Sequence, residues 1–229
     1  MSEDPYVYPG TSVLRNRFGV RDAGELARRE RDASSAEILA LLDSPLPGRY
    51  DLAHLQAFHS RIFGGVYEWA GELRSVAIAK VDLFALPVHI APYLSGVLAE
   101  LPGERFLKGM PADRLTDRLA HYLAEINAVH PFREGNGRTQ RALIGQLAAD
   151  AGYHLAWERL TAARNIETSV AAMRGDNAPL REAIGELLCA QPPAGGRDPR
   201  AASRELPRAR RLRDPREAHA GAGAQHGPA

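Results

Sequence analysis

Residues 130–141 read HPFREGNGRTQR, setting a histidine, a carboxylate, an asparagine, two glycines and the pair Arg138 and Arg141 within one short segment. Gly135 and Gly137 permit positive φ and let a ligand approach backbone amides closely. The stretch from Arg138 to Ala151 has helix-forming composition and stops at Gly152, so the loop falls where a helix begins. Unpaired N–H groups there meet the positive end of the helix dipole, which suits a phosphate chain. Arg138 and Arg141 are three apart and can share one side of the first turn, gripping phosphate oxygens bidentately. Glu134 is placed to ligate Mg²⁺, with the phosphates completing the coordination. His130, whose side chain titrates near neutrality, is the candidate general base for an attacking hydroxyl. Phe132 reads as the apolar pin of the loop. The segment is not a dinucleotide fingerprint, because no third glycine follows and no βαβ strand precedes it. It is not a P-loop either, because GK[ST] is absent.

Such a loop has to be carried by helices, and helical patterns recur along the chain. Pro111 to Val129 opens with proline in the first turn and sets Leu115, Leu119, Tyr122, Leu123 and Ile126 on one face, delivering His130 at its end. Asp22 to Leu42 precedes the break SPLPG. Asp51 to Phe63 starts on a capping residue and places Leu52, Leu55, Phe58 and Ile62 at helical spacing before Gly64 and Gly65. Val88 to Leu101, Arg159 to Met173 and Pro179 to Ala190 complete the set, the last capped by Asn177. Val76 and Ile78 alternate within Arg74 to Lys80, a short strand signal in an otherwise helical chain. His54, His59, His89, His121 and His154 lack paired-ligand spacing and read as surface or packing residues.

About 190 residues can bury a core in one domain, so residues 1–190 are expected to form it. The remainder, 191–229, is rich in Ala, Gly, Pro and Arg. Its segment 192–229 carries eight Arg against four acidic residues, leaving +4 there and −3 on the rest of a chain whose net charge is +1. With almost no large apolar side chain it is expected to be a disordered, solubilising tail; direct nucleic-acid binding through RARRLR (208–213) is the less favoured reading. The lone Cys189 excludes a disulfide scaffold, fits a reducing compartment and is expected to pack near the last helix. With no stretch of membrane-spanning length and no basic-apolar leader, a cytoplasmic protein with no membrane partner is expected.

The loop resembles the signature of the Fic family, HxFx[DE]GNGRxxR, matched at His130, Phe132, Glu134, Gly135, Asn136, Gly137, Arg138 and Arg141. The stretches VYPGTSVLRNRFGVRD (7–22) and FGGVYEWAGELRSVAIAK (63–80) extend the resemblance over roughly residues 6–190. It implies an all-α Fic-fold helical bundle with a short β-hairpin flap (about 73–86) beside the active-site loop. It also implies ATP and Mg²⁺ binding, and transfer of AMP to a Tyr, Thr or Ser hydroxyl of a target protein. Under it His130 is the base, Glu134 the metal ligand, Asn136 with the loop amides the α-phosphate holder, and Arg138 with Arg141 the β/γ-phosphate anchors. Lys80 and Phe84 become flap residues that clamp a target docked by β-augmentation. No [ST]xxxE[GN] pattern occurs in the chain. The resemblance is therefore to toxins whose inhibitory glutamate sits on a separate small antitoxin, contacts Arg141, and whose targets are DNA gyrase and topoisomerase IV. The alternatives are a Fic-fold kinase or deadenylylase, or a non-catalytic nucleotide-dependent binding module. Gly137, where the kinases carry lysine, argues against the first. The absent internal glutamate argues against the second, and the intact His130, Glu134 and Arg141 against the third.

Overall fold

In a computed structural model of the protein, residues 4–79 and 84–190 are described. They form seven α-helices: α1 (Ala23–Asp43), α2 (Leu52–Phe63), α3 (Pro87–Leu98), α4 (Ala112–Val129), α5 (Asn136–Asp150), α6 (Ala162–Met173) and α7 (Ala178–Leu187). The helical reading of the sequence holds, and two helices start on the expected aspartates. The Asp22 side chain accepts from Glu25 N at 2.7 Å, and the Asp51 side chain from His54 N at 2.9 Å. Each satisfies an amide that the helix itself leaves unpaired. Pro111 lies one position outside α4, at its N-cap, and Asn177 occupies the α7 N-cap without a side-chain bond.

The hydrophobic core surrounds α4, which packs against α3, α5, α6 and α7. Leu115, Leu119, Tyr122, Leu123 and Ile126 are all buried, as their spacing requires. Helix α2 packs against α1, α3 and α5, with Leu55, Phe58, Ile62 and Phe63 buried. Pairing α2 and α4 against α5 fixes the place where the loop between α4 and α5 emerges. Among the described residues no helix is long and apolar enough to cross a membrane.

Two expectations are corrected. The last helix ends at Leu187, and Leu188–Ala190 instead pairs antiparallel with Tyr153–Leu155, in the register Tyr153 to Ala190, His154 to Cys189 and Leu155 to Leu188. A three-residue strand has no local period to read, and its partner lies 33 or more residues away in sequence. Cys189 is accordingly exposed on that strand rather than packed. Residues 74–79 form no continuous strand, and among the described residues the flap closes through the bond from Phe84 N to Ile78 O at 3.3 Å. Lys80 and the 191–229 tail lie outside the described residues.

Candidate active site

Helix α4 ends on His130, whose backbone is left-handed (φ 50°, ψ 66°). Helices commonly stop on a residue of that conformation, but the position favours glycine or asparagine. A histidine there is an outlier of the kind that marks functional sites. Pro131 follows and cannot continue the helix. Inside the turn, His130 N donates to Ile126 O at 3.0 Å and Nδ1 lies 3.1 Å from Asn127 O. A carbonyl only accepts, so Nδ1 carries the proton of that bond. The Phe84 ring stacks on the imidazole at 3.9 Å between centroids and 12° between planes.

The loop is closed by Asn136, whose Oδ1 accepts from Phe132 N at 2.8 Å while Nδ2 donates to Phe132 O at 2.7 Å. Each end of that side chain thus makes one bond to the loop, fixing its orientation in the cleft wall. Gly135 is left-handed at φ 82°, and a Cβ there would sit 2.4 Å from the Phe63 ring, so only glycine fits. Gly137, in contrast, is ordinary helix rather than the positive-φ position its type suggests. Its constraint is space, since a Cβ would lie 3.3 Å from Arg141 Nη1. The first capped amide of α5 is Thr139 N, bonded to Gly135 O at 3.1 Å. The amides of Asn136, Gly137 and Arg138 precede it without an intrahelical acceptor, at the dipole's positive end.

The two signature arginines differ. Arg141 reaches back over Gly137 and makes no hydrogen bond or ion pair among the described residues; burial, and then the charge of Arg138, lower its pKa from the ordinary arginine value. A desolvated cation without an anion is costly, and an incoming phosphate oxygen would relieve it. Arg138 is already occupied: Nη2 pairs with Glu30 of α1 and Nη1 donates to Ser34 Oγ at 2.9 Å. Helix α1 thus takes two of the five guanidinium N–H donors of Arg138, through acceptors that local spacing cannot reveal. Glu134 is half-exposed; its Oε1 accepts from Gly135 N at 2.8 Å and lies 3.7 Å from Arg138 Nη2. Among the described residues no group of three His, Cys, Asp or Glu could hold a metal. A lone carboxylate beside a polyphosphate fits Mg²⁺, which takes one or two carboxylates and completes its shell with phosphates and water.

A cleft of about 290 Å³ joins these parts, lined by His130, Glu134, Asn136, Gly137, Ile78 and Phe84 among others. Two buried residues that the sequence does not single out hold it open. Arg74 is 2% exposed and gives its guanidinium to four carbonyls: His130 O at 2.8 Å, Val129 O at 3.0 Å, Val76 O at 2.7 Å and Ala85 O at 2.5 Å. Its charge thus caps the negative end of α4 while binding both arms of the flap. His59 accepts from Gly71 N through Nδ1 at 2.8 Å, meets Glu134 O through Nε2 at 2.9 Å, and stacks on the fully buried Phe132 at 3.9 Å. An amide only donates, so Nδ1 is the bare nitrogen and His59 is neutral. Burial, chiefly, lowers its pKa to about 4.

A helix-borne histidine, a glycine-pinned helix N-terminus, a carboxylate and a desolvated arginine over the first turn of that helix are the parts with which a protein could hold a phosphate chain. Known proteins agree with that class. The model of the Fic/DOC family matches residues 49–148. The protein adenylyltransferase VbhT of Bartonella schoenbuchensis is 39% identical over 177 residues, covering 77% of this chain and 37% of VbhT. A probable protein adenylyltransferase Fic of Salmonella typhimurium is 35% identical over 179 residues, covering 78% of this chain and 88% of that protein. Among solved structures, the BepC protein of Bartonella tribocorum with bound AMPPNP superposes with a TM-score of 0.76 at 25% identity, covering 82% of this chain and 97% of BepC. The chain belongs to the Fic/DOC family.

Proposed function

We propose that this protein transfers AMP from ATP to a hydroxyl side chain of a target protein. The observation that carries the reading is Arg141, a desolvated cation with no anionic partner among the described residues, folded over Gly137, which itself lines the cleft that His130 lines. The arginine and the amides hold the phosphate chain. His130 accepts the proton of the hydroxyl through Nε2 as the oxygen attacks the α-phosphorus, and the α–β bond breaks to release pyrophosphate. Glu134 would hold Mg²⁺, which supplies charge neutralisation across the phosphates. Phe84, stacked on His130, and Lys80 would seat the target along the flap. Relatives named as adenylyltransferases and a neighbour with AMPPNP support this reading.

The finer reading is a toxin whose partner protein supplies a glutamate to Arg141, with type II topoisomerases as targets. Its support is the same open arginine, together with the absence of [ST]xxxE[GN] from the sequence. The test incubates the protein with α-labelled and, in parallel, γ-labelled ATP and a bacterial lysate. Label from the α position on a protein band, lost in His130→Ala by about two to four orders of magnitude, is expected. Transfer of the γ label instead would make the enzyme a kinase, and no label from either would leave a binding module.

A further inference from the structure

Glu30 of α1 has no place in the loop signature, yet it holds the guanidinium of Arg138. Its side chain is only 13% exposed, and its second oxygen accepts from Tyr67 OH. Tyr67 is itself immobilised: it is fully buried and stacked on Trp69 at 4.3 Å and 17°. One turn on, Ser34 Oγ takes Arg138 Nη1 at 2.9 Å, and the Arg138 guanidinium lies over the Phe63 ring at 4.7 Å. The arginine is thus gripped by a carboxylate, a hydroxyl and an aromatic face from two helices other than its own.

We infer that Glu30 is a positioning residue for Arg138, fixing which N–H groups of the guanidinium face the phosphate chain; this rests on the AMP-transfer reading above. A guanidinium has five donors in a fixed fork, and two bonds to α1 leave the rest directed. Placement, more than attraction, is what such a contact supplies, since misplacement by about 1 Å can lower turnover a hundredfold. The carboxylate also cancels the charge of Arg138, so Arg141 supplies the net attraction for nucleotide. Removing Glu30 should therefore slow transfer while leaving ATP binding as tight or tighter, a combination that loss of folded protein does not give.

The experiment measures kcat and KM for α-labelled ATP in Glu30→Ala and Tyr67→Phe, with the fraction of ATP-binding molecules titrated in each. Expected are a kcat reduced about tenfold to a hundredfold in Glu30→Ala, a smaller fall in Tyr67→Phe, and an unchanged or lower KM in both. Overturning results are a kcat within twofold of wild type, a raised KM at unchanged kcat, or a kcat loss equal to the loss of ATP-binding molecules. A second readout uses nitrogen-15 resonances of the Arg138 guanidinium in the presence of ATP. Ordered signals in the wild type that average out in Glu30→Ala support the inference, and signals unchanged by the substitution refute it. If the wild type transfers no label, the transferase reading fails while these resonances still decide the role of Glu30.

Discussion

His59 should make the protein acid-sensitive in a defined window. The ring is fully buried, with Nδ1 taking the Gly71 amide and Nε2 giving to Glu134 O. Protonation would set an N–H at Nδ1 against the Gly71 N–H, in a site where burial already disfavours the cation. Below its ordinary value of 6.5 the unfolded chain takes up a proton that the folded protein refuses until about pH 4. The unfolded state binds more protons across that window, so stability is complete above pH 6.5 and declines as pH falls toward 4. Each tenfold difference in proton affinity between the two states is worth about 1.4 kcal/mol, giving about 3 kcal/mol lost over the window. Burial also lowers the pKa of His54, which adds in the same direction. The contribution of His59 is therefore read as a difference. Urea unfolding of wild type and His59→Gln from pH 4 to 7 should give a variant less stable at pH 7 but with a pH slope smaller by about one proton. Equal slopes, or a His59 imidazole titrating near 6.5 by NMR, would refute the buried neutral strut.

Gly135→Ala should destabilise by about 2–5 kcal/mol, combining left-handed strain of about 1–2 kcal/mol with about 1–3 kcal/mol of overpacking against Phe63. Denaturant unfolding checks it, and partial recovery in Gly135→Ala with Phe63→Leu identifies the clash. Arg141→Gln should weaken ATP binding by about tenfold to a hundredfold through loss of a charge-assisted bond of about 1.5–3 kcal/mol, with AMP binding unchanged by calorimetry. Equal weakening of both would remove the arginine from the phosphate chain. Arg74→Lys, which cannot serve four carbonyls with three donors, should cost about 1–3 kcal/mol and speed proteolytic cleavage within residues 74–86.

The loop was legible because its chemistry is local: His130, Glu134, Gly135 and Arg141 stand within twelve residues, and the helices around them announce themselves through Asp22, Asp51 and the apolar face of α4. What stayed hidden depends on partners distant in sequence. Arg74 meets His130 across 56 residues, His59 meets Glu134 across 75, and Arg138 meets Glu30 across 108. No periodicity records such a meeting, and a buried histidine or arginine looks like a surface one in composition. Gly137 shows a subtler limit, since its type suggested backbone freedom while the structure uses its lack of a side chain to admit Arg141.

The proposed base is the residue on which α4 stops, and it inherits the screw of that helix. Each residue of an α-helix turns about 100° and advances about 1.5 Å. A single insertion or deletion between Ile126, which is locked into the core, and His130 would swing the imidazole away from the α5 amides however well the rest folded. A change of length outside that turn leaves the rotation of the histidine relative to Ile126 unaltered.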